Sequence, residues 1–235
     1  MPKSRRTSPR AGTAGAKARR AATARTKAPR GATARANAPG AAKWEFHALT
    51  PGRWKDLVAL FGPRGACAGC WCMFPRMTGA EWKTQGASNR RAFERIVRAG
   101  DRPGVLAYEA GRAVGWVAVA PREVYRRFER SRILQPVDEK PTWSVPCFFI
   151  DRTQRGRGLT VALLRAACIY AASRGAARIE GYPLEATKPM PAAFAWHGLA
   201  SAFRVAGFRE VARRSPTRPI MRRELGRPAR SPARG

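Results

Sequence analysis

Acidic residues are scarce in this sequence, with 15 Asp and Glu against 46 Lys and Arg, and the formal net charge is +31 at pH 7. Such an excess of positive charge favours anionic partners. No apolar run approaches the roughly 18 residues that a membrane-spanning helix needs, so we expect no membrane segment. The five cysteines, an odd number in 235 residues, argue against a disulfide framework. Because no secretory signal is recognisable either, we predict a cytoplasmic protein.

The first 43 residues contain no acidic residue and few residue types besides Ala, Arg, Lys, Thr, Pro and Gly. Their 12 Lys and Arg side chains supply +12 of the net charge. Because such a segment cannot bury a core, we predict disordered tails at 1–43 and 226–235, which share this composition. Counterion release would let residues 1–43 bind nucleic acid without sequence preference, with a nucleoid association as the consequence. Codon usage in a GC-rich genome is an alternative explanation of the same composition.

Residues 44–225 are predicted to form one α/β domain, because apolar residues recur there with the periods of strands and helices. Strands are predicted at 44–50, 105–108, 113–120, 142–151, 177–182, 209–213 and 219–223. Helices are predicted after Thr50-Pro51, at 87–99 and at 158–173. Ser88 or Asn89 is expected to cap the second of these helices.

An Arg- and Gly-rich turn joins the fourth predicted strand to the helix that follows it. Gly156 and Gly158 let the backbone approach a ligand, and the next amides lie at a helix N-terminus, which carries partial positive charge. A dinucleotide fingerprint would need a third glycine where Val161 stands, and a Walker loop would need Gly-Lys-Ser/Thr, which this turn lacks. The predicted anion-binding residues are Arg155, Gly156, Arg157, Gly158, Leu159 and Thr160.

The same turn resembles the acetyl-coenzyme A signature R/Q-x-x-G-x-G/A of the GNAT acetyltransferase superfamily. Arg155 and Gly158 match that pattern, and Thr160 stands where the family has Gly or Ala. Residues 202–208 resemble the L-Y-x-x-x-G-F helix end of the same family. The resemblance implies a mixed, twisted sheet flanked by helices, acetyl-CoA as the acetyl donor, and transfer by direct attack of an amine, either a small molecule or a peptide.

In this family the fourth strand separates from the fifth, and proline at 146 fits a strand that loses its partner. The resemblance implies that main-chain groups of Phe149 and Ile150 hold the pantetheine arm and the acetyl carbonyl. The tyrosine that usually acts as the acid is replaced by Phe203. Water or other side chains must therefore move protons. The expected catalytic residues are Glu180 as base and Tyr182 or Ser201 as proton donor.

Two departures from the family pattern, Thr160 and Phe203, keep a second function open. In this alternative the domain binds acetyl-CoA weakly or as a sensor, and the basic tail associates the protein with nucleic acid. Glu180 and Tyr182 also have ordinary structural interpretations, as a salt-bridged carboxylate and a packed aromatic residue. We expect a structural role for His197, which stands alone in an apolar segment.

Three cysteines, Cys67, Cys70 and Cys72, follow the first predicted helix in a C-x2-C-x-C pattern. A closed zinc site needs four ligands, and no second CxxC or nearby histidine pair completes this one, so no metal is assigned. Residues 70–73 resemble a Cys-Trp-Cys-Met segment of one bacterial subgroup of the family. The loop lies toward the acceptor in that family. Its apolar side chains are expected to line the acceptor pocket, with core packing as the alternative.

Overall fold

The computed structural model describes residues 44–82, 86–186 and 192–226. Its seven strands are β1 (Glu45–Ala48), β2 (Gly104–Glu109), β3 (Arg112–Pro121), β4 (Trp143–Ile150), β5 (Arg178–Gly181), β6 (Arg209–Arg213) and β7 (Pro219–Glu224). They form one sheet in the order β1-β2-β3-β4-β5-β7-β6. β4 and β5 run parallel, and the other neighbouring pairs of this sheet are antiparallel. The mixed sheet predicted from the sequence is confirmed.

Helices cover both faces of the sheet. They are α1 (Trp54–Phe61), preceded by a 3-10 turn at Pro51–Arg53, α2 (Ala87–Arg98), α3 (Leu159–Ser173) and α4 (Ala200–Val205). Because successive side chains of a strand point to opposite faces, β3 serves two cores. Trp116 and Ala118 pack with α1 and α2 on what we call the α1 face, whereas Val117 and Val119 pack with α3 and α4 on the α3 face.

The start of α2 differs from the prediction. Gly86, with a φ of 73°, is the N-cap residue, and no side chain caps the helix, so the predicted cap by Ser88 or Asn89 is wrong. Asn89 is fully buried instead, and its Nδ2 donates a hydrogen bond to the Gly69 carbonyl at 3.0 Å. The Asn89 side chain, which the local pattern predicts as a helix cap, therefore makes a long-range contact with the loop that contains Cys67, Cys70 and Cys72, which we call the cysteine loop.

The tails predicted at 1–43 and 226–235 lie outside the described residues, apart from Gly226. Their disorder and nucleic-acid binding stay predictions, as do the domain bounds of 44–225. Within the described part of the chain, no helix is both long enough and apolar enough to cross a membrane.

Candidate functional site

The predicted anion-binding turn has the backbone of a helix N-terminal site. Gly156 and Gly158 have φ angles of 74° and 84°, in the left-handed region that favours glycine. Gly158 is the N-cap of α3. A Cβ atom added to either glycine would meet no atom within 4 Å, so the outer side of the turn is open. The first N–H groups of a helix lack carbonyl partners within it, and this open turn lets an anion reach them.

Asp151 fixes the approach to this turn. Its carboxylate accepts hydrogen bonds from the Thr153 amide at 2.9 Å and the Thr153 hydroxyl at 2.8 Å, and Arg112 lies 2.9 Å away. The hydrogen bond from the Thr153 amide, the contact with Arg112 and the hydrogen bond from the Thr153 hydroxyl together lower the pKa of Asp151 to about 2. The ionised carboxylate thereby holds the 3-10 turn Arg152–Gln154 between β4 and the glycines.

The two arginines of the turn differ in their partners. Arg157 Nη2 lies 3.0 Å from the Glu109 carboxylate, and its Nη1 donates to Gln154 at 2.7 Å. Arg155 is exposed and donates from Nε to the Ile150 carbonyl over a long 3.4 Å. Every Asp and Glu of the sequence lies in the described residues, and none pairs with Arg155. Arg155 therefore keeps an uncompensated charge beside the turn.

β4 loses its parallel partner halfway along its length. The register with β5 ends at Val145 opposite Gly181, a point that we call the strand junction. Pro146, which has no N–H to donate, follows immediately. On its other side β4 stays paired with β3 as far as Ile150. An open backbone edge that includes Ile150 therefore runs from the strand junction to the anion-binding turn. Asp151 bonds to Val114 of β3, so the main-chain groups of Phe149, two residues earlier, also face β3, opposite Trp116.

The segment from His197 to Leu199 fills the gap nearest to the strand junction. His197 Nδ1 lies 2.9 Å from the Pro146 carbonyl, and Leu199 bridges in parallel to Leu184. Because a carbonyl oxygen only accepts, Nδ1 is the protonated nitrogen and Nε2 carries the lone pair. Burial, helped by the positive charge of Arg218, lowers the pKa of His197 to about 3. The imidazole is therefore neutral at pH 7.

Phe203, at the tyrosine position of the family, closes the strand junction on the α3 face. Its ring is fully buried, with ring-centroid distances of 6.1 Å to Phe148 and 5.0 Å to Phe208. A Cβ atom on Gly181 would lie 2.1 Å from this ring, and one on Gly198 would lie 3.0 Å away. The two glycines make room for the ring, so this side of the junction is apolar.

On the α1 face the structure brings together two of the three predicted catalytic residues. The Tyr182 hydroxyl lies 2.8 Å from the Ser144 hydroxyl and 3.4 Å from Glu180 Oε2, and it accepts a hydrogen bond from Arg122 at 2.7 Å. Burial raises the pKa of Tyr182, so the phenol stays protonated at neutral pH. Glu180 is also buried, and its Oε1 lies 2.7 Å from Arg222 Nη2. This polar group borders the strand junction.

Ser201 is not part of that group. It lies exposed in the first turn of α4, on the α3 face. His197, for which the sequence predicts a structural role, contacts the main chain of β4 at the junction. Sequence patterns could not indicate this contact, because Pro146 and His197 are 51 positions apart. The catalytic roles of Glu180, Tyr182 and Ser201 stay predictions.

The cysteine loop packs against β4 from the α1 face. Cys72 Sγ lies 3.8 Å from Cys147 Sγ and accepts a hydrogen bond from Trp116 Nε1 at 3.0 Å. The bond donated by Cys147 lowers the pKa of Cys72 and raises that of Cys147. Cys67 is exposed and Cys70 is half-buried. Across residues 44–82, 86–186 and 192–226, no group of three or more His, Cys, Asp or Glu side chains could hold a metal ion.

The apolar residues of this loop differ in how far they are buried. Trp71 and Met73 are buried in the core beneath α1. Phe74 is only half-buried, and its ring centroid lies 5.7 Å from that of Trp196, the residue before His197. The Arg127 guanidinium lies over the same Phe74 ring, 3.9 Å from its centroid. An aromatic surface therefore approaches the strand junction from the α1 face.

An open strand edge that leads to a helix N-terminus suits a ligand with an amide-containing arm and a phosphate group. A sequence model of the acetyltransferase (GNAT) family matches residues 68–194, more than half of the chain. The chain belongs to the GNAT acetyltransferase family. No curated protein matches the chain.

Several solved acetyltransferases are similar to this structure. An N-acetyltransferase from Staphylococcus aureus Mu50 has 13% sequence identity and a TM-score of 0.46, with 77% of this chain and 98% of that chain covered. The GNAT domain of S. lividans PAT has 17% identity and a TM-score of 0.46, with coverages of 77% and 89%. A phosphinothricin acetyltransferase from Sinorhizobium meliloti, solved in complex with AcCoA, has 14% identity and a TM-score of 0.46, with coverages of 80% and 91%.

Proposed function

We propose that this protein is an N-acetyltransferase that moves the acetyl group of acetyl-CoA to an amine by direct attack. The observation that carries the proposal is the open edge of β4, which leads directly to the N-terminus of α3. Unpaired backbone groups of that edge suit the amides of a pantetheine arm, and the open glycine turn suits a pyrophosphate. The proposed cofactor-binding residues are Ile150, Arg155, Gly156, Arg157, Gly158, Leu159 and Thr160. Phe149, which the sequence also predicts, turns its main-chain groups toward β3 and is not proposed as a main-chain contact.

Within this set the two arginines differ in their expected contribution. Arg155 has no carboxylate partner and is the stronger candidate for a phosphate contact. Arg157 is already neutralised by Glu109, and we assign it the role of shaping the turn. Both side chains are exposed, so their electrostatic contributions are screened and fall with rising salt.

Bound acetyl-CoA supplies a thioester, whose carbonyl carbon bonds to the amine nitrogen while its C–S bond breaks. The open edge ends at the strand junction, where His197 contacts Pro146, and we propose that the reacting atoms lie beside His197. There the lone pair of His197 Nε2 accepts a hydrogen bond from the amine and orients it, and because the pKa of His197 is lowered to about 3, the proton that the amine loses passes to water. The Pro146 carbonyl holds the imidazole in the tautomer that this step requires.

Tyr182 is the proposed proton donor to the departing thiolate. Its raised pKa keeps the hydroxyl protonated, and it directly follows Gly181 at the strand junction. Glu180 is predicted as the base, but its ion pair with Arg222 stabilises the charged carboxylate and favours the role of orienting Tyr182. Ser201 remains a weaker candidate, because its exposed side chain lies on the other face of the sheet.

The proposed acceptor is a small-molecule or peptide amine that approaches from the α1 face, where Phe74 and Trp196 lie. The resemblance of residues 70–73 to a Cys-Trp-Cys-Met subgroup supports a role of this loop near the acceptor. We also propose a cytoplasmic location and a nucleic-acid contact made by residues 1–43, supported by their +12 charge.

Substitution of Gly158 tests the cofactor site. Gly158→Trp puts a large side chain on the turn and is expected to abolish acetyl-CoA binding in calorimetry. Gly175→Trp is the matched control, because Gly175 has a φ of 85°, equally open surroundings and a place at the other end of α3. Undiminished binding by Gly158→Trp would contradict the cofactor assignment.

Activity is tested separately by thiol release from acetyl-CoA in the presence of a panel of amines. Release that depends on both the amine and an intact turn is the result expected of a transferase. Tight acetyl-CoA binding without release for any amine would favour the sensory alternative.

A further inference from the structure

Arg218 lies at the strand junction, next to the proposed reaction site. It immediately precedes β7, in which Met221 pairs with Gly181 at the end of β5. Arg218 therefore lies just beyond the end of β5, where the gap between β4 and β5 opens. Its positive charge also acts on His197, where it adds to the effect of burial in lowering the pKa of the imidazole.

Arg218 is a partly buried cation without an acidic partner. Its Nε atom is buried and has no hydrogen-bond partner among the described residues. Burial lowers its pKa to about 10, so the side chain stays charged at pH 7. All 15 Asp and Glu of the sequence lie in the described residues, and none forms an ion pair with Arg218.

The arginines on the neighbouring strands behave differently. Arg213 lies 3.0 Å from the Glu185 carboxylate and 2.6 Å from that of Glu210, and Arg222 likewise contacts two carboxylates at 2.6 and 2.7 Å. Carboxylates are therefore present on or near the neighbouring strands, and their absence there does not explain why Arg218 has no acidic partner. A partly buried charge that no carboxylate compensates is costly, and an anion from outside the chain would be a suitable partner for it.

Aromatic rings line the side of this region that faces the cysteine loop. Trp196 and His197 have ring centroids 3.3 Å apart, and Phe74 packs edge-on against Trp196. Trp82 continues the row, 5.2 Å from Phe74. His197 therefore lies at one end of a row of aromatic rings formed by Trp196, Phe74 and Trp82.

We propose that Arg218 binds a carboxylate of the acceptor, so that the acceptor is an amine that also carries a carboxylate on an apolar or aromatic body. The planar guanidinium fork matches a carboxylate with two parallel hydrogen bonds. An α-amino acid fits this arrangement, because it presents an amine to His197 and a carboxylate to the neighbouring Arg218. This assignment rests on the proposed function, since it names the acceptor class of the same site.

Matched acceptors test the assignment. Tryptophan, phenylalanine and leucine are each compared with their amides, which keep the amine and lose the carboxylate charge, in thiol release from acetyl-CoA. For at least one pair the wild type is expected to have a kcat/KM about 30-fold or more higher for the acid, the usual scale for a desolvated charge pair. Arg218→Gln is expected to remove this preference. Arg209→Gln, at an exposed arginine of β6, is expected to keep it.

A binding readout separates this proposal from acetyl transfer itself. Without acceptor, Arg218→Gln is expected to unfold at a temperature no lower than the wild type, because it removes an uncompensated charge. With CoA present, the carboxylate acceptors are expected to raise the unfolding temperature of the wild type and of Arg209→Gln only.

Equal activity with acids and amides, unchanged by Arg218→Gln, would overturn the carboxylate site and leave the acetyltransferase intact. Loss of acetyl-CoA affinity in Arg218→Gln would overturn it as well, because Arg218 would then contact the cofactor. An Arg218-dependent shift in unfolding temperature without thiol release would instead support the anion site and count against the proposed function.

Discussion

Removing the charge of Asp151 tests whether this carboxylate holds the anion-binding turn in place. The Asp151→Asn variant keeps an oxygen that can accept from the Thr153 amide, and it loses the charge that Arg112 contacts at 2.9 Å. The substitution therefore isolates the electrostatic part of the interaction. We expect a less stable protein whose deficit depends on pH.

The magnitude follows from the pKa of Asp151, which falls from 3.8 to about 2 on folding. A shift of that size corresponds to roughly 2.5 kcal/mol, and the 60% exposure of the Arg112 side chain screens the pair and reduces the expected loss to about 1–2 kcal/mol. Because the folded-state pKa is the lower one, the contribution is complete above about pH 5. It decreases as the pH falls toward the folded-state pKa, and about half remains near pH 3.

Urea unfolding of the wild type and Asp151→Asn at several values between pH 7 and pH 3 measures this difference. Asp101→Asn is the control, because Asp101 is exposed in the connection between α2 and β2. A deficit of the Asp151 variant that stays constant from pH 7 to pH 3 would refute the reasoning, since a lost charge contributes only where the wild-type group is ionised. Acetyl-CoA binding by the same variant at pH 7 is expected to weaken, because the turn loses its anchor.

Three other predictions concern the strand junction and the tail. Gly181→Ala would place a Cβ atom 2.1 Å from the Phe203 ring and should lower the free energy of unfolding in urea by about 1–3 kcal/mol. The control Gly52→Ala, whose Cβ would lie 3.9 Å from its nearest atom, should lower it less, and equal losses would argue against overpacking. His197→Asn can still donate to the Pro146 carbonyl but lacks Nε2, so kcat should fall about 100-fold or more with stability nearly unchanged, and an unaltered kcat would remove His197 from the reaction. Deletion of residues 1–43 should weaken the retention of DNA on filters and make the remaining retention less dependent on salt concentration. Equal retention by the full-length and the shortened protein would exclude the tail as a nucleic-acid contact.

Local patterns were sufficient for much of the fold. The continuous apolar run of β3 and the apolar face of α1 are local strand and helix signals, and both elements form where they are expected. Gly158 is predicted to let the backbone approach a ligand, and the structure adds that its φ of 84° is left-handed where β4 turns into α3. These features depend on residues that are close together in the chain, so local sequence patterns predict them.

Features that depend on distant residues were missed. The ion pair of Arg157 with Glu109, 48 positions earlier, was not predicted, and the phosphate contact of Arg157 stays a prediction. The side chain of Asn89 goes to the Gly69 carbonyl, 20 positions away, and not to a helix cap. Nothing near Arg218 in the sequence indicates that it lacks a partner, because that property depends on where all 15 carboxylates lie. Charge compensation is a property of the folded chain as a whole.

The loss of the usual tyrosine at 203 has a structural counterpart that bears on where protons move. Gly181 and Gly198 leave room for the Phe203 ring, which fills the α3 side of the strand junction with apolar atoms. A tyrosine hydroxyl at position 203 would therefore have no polar neighbour among these residues. A buried polar group without a hydrogen-bond partner is costly. Polar side chains collect on the opposite face, where Tyr182 is held by Ser144. In our proposal, proton transfer consequently belongs to the α1 face, the same side from which the acceptor approaches.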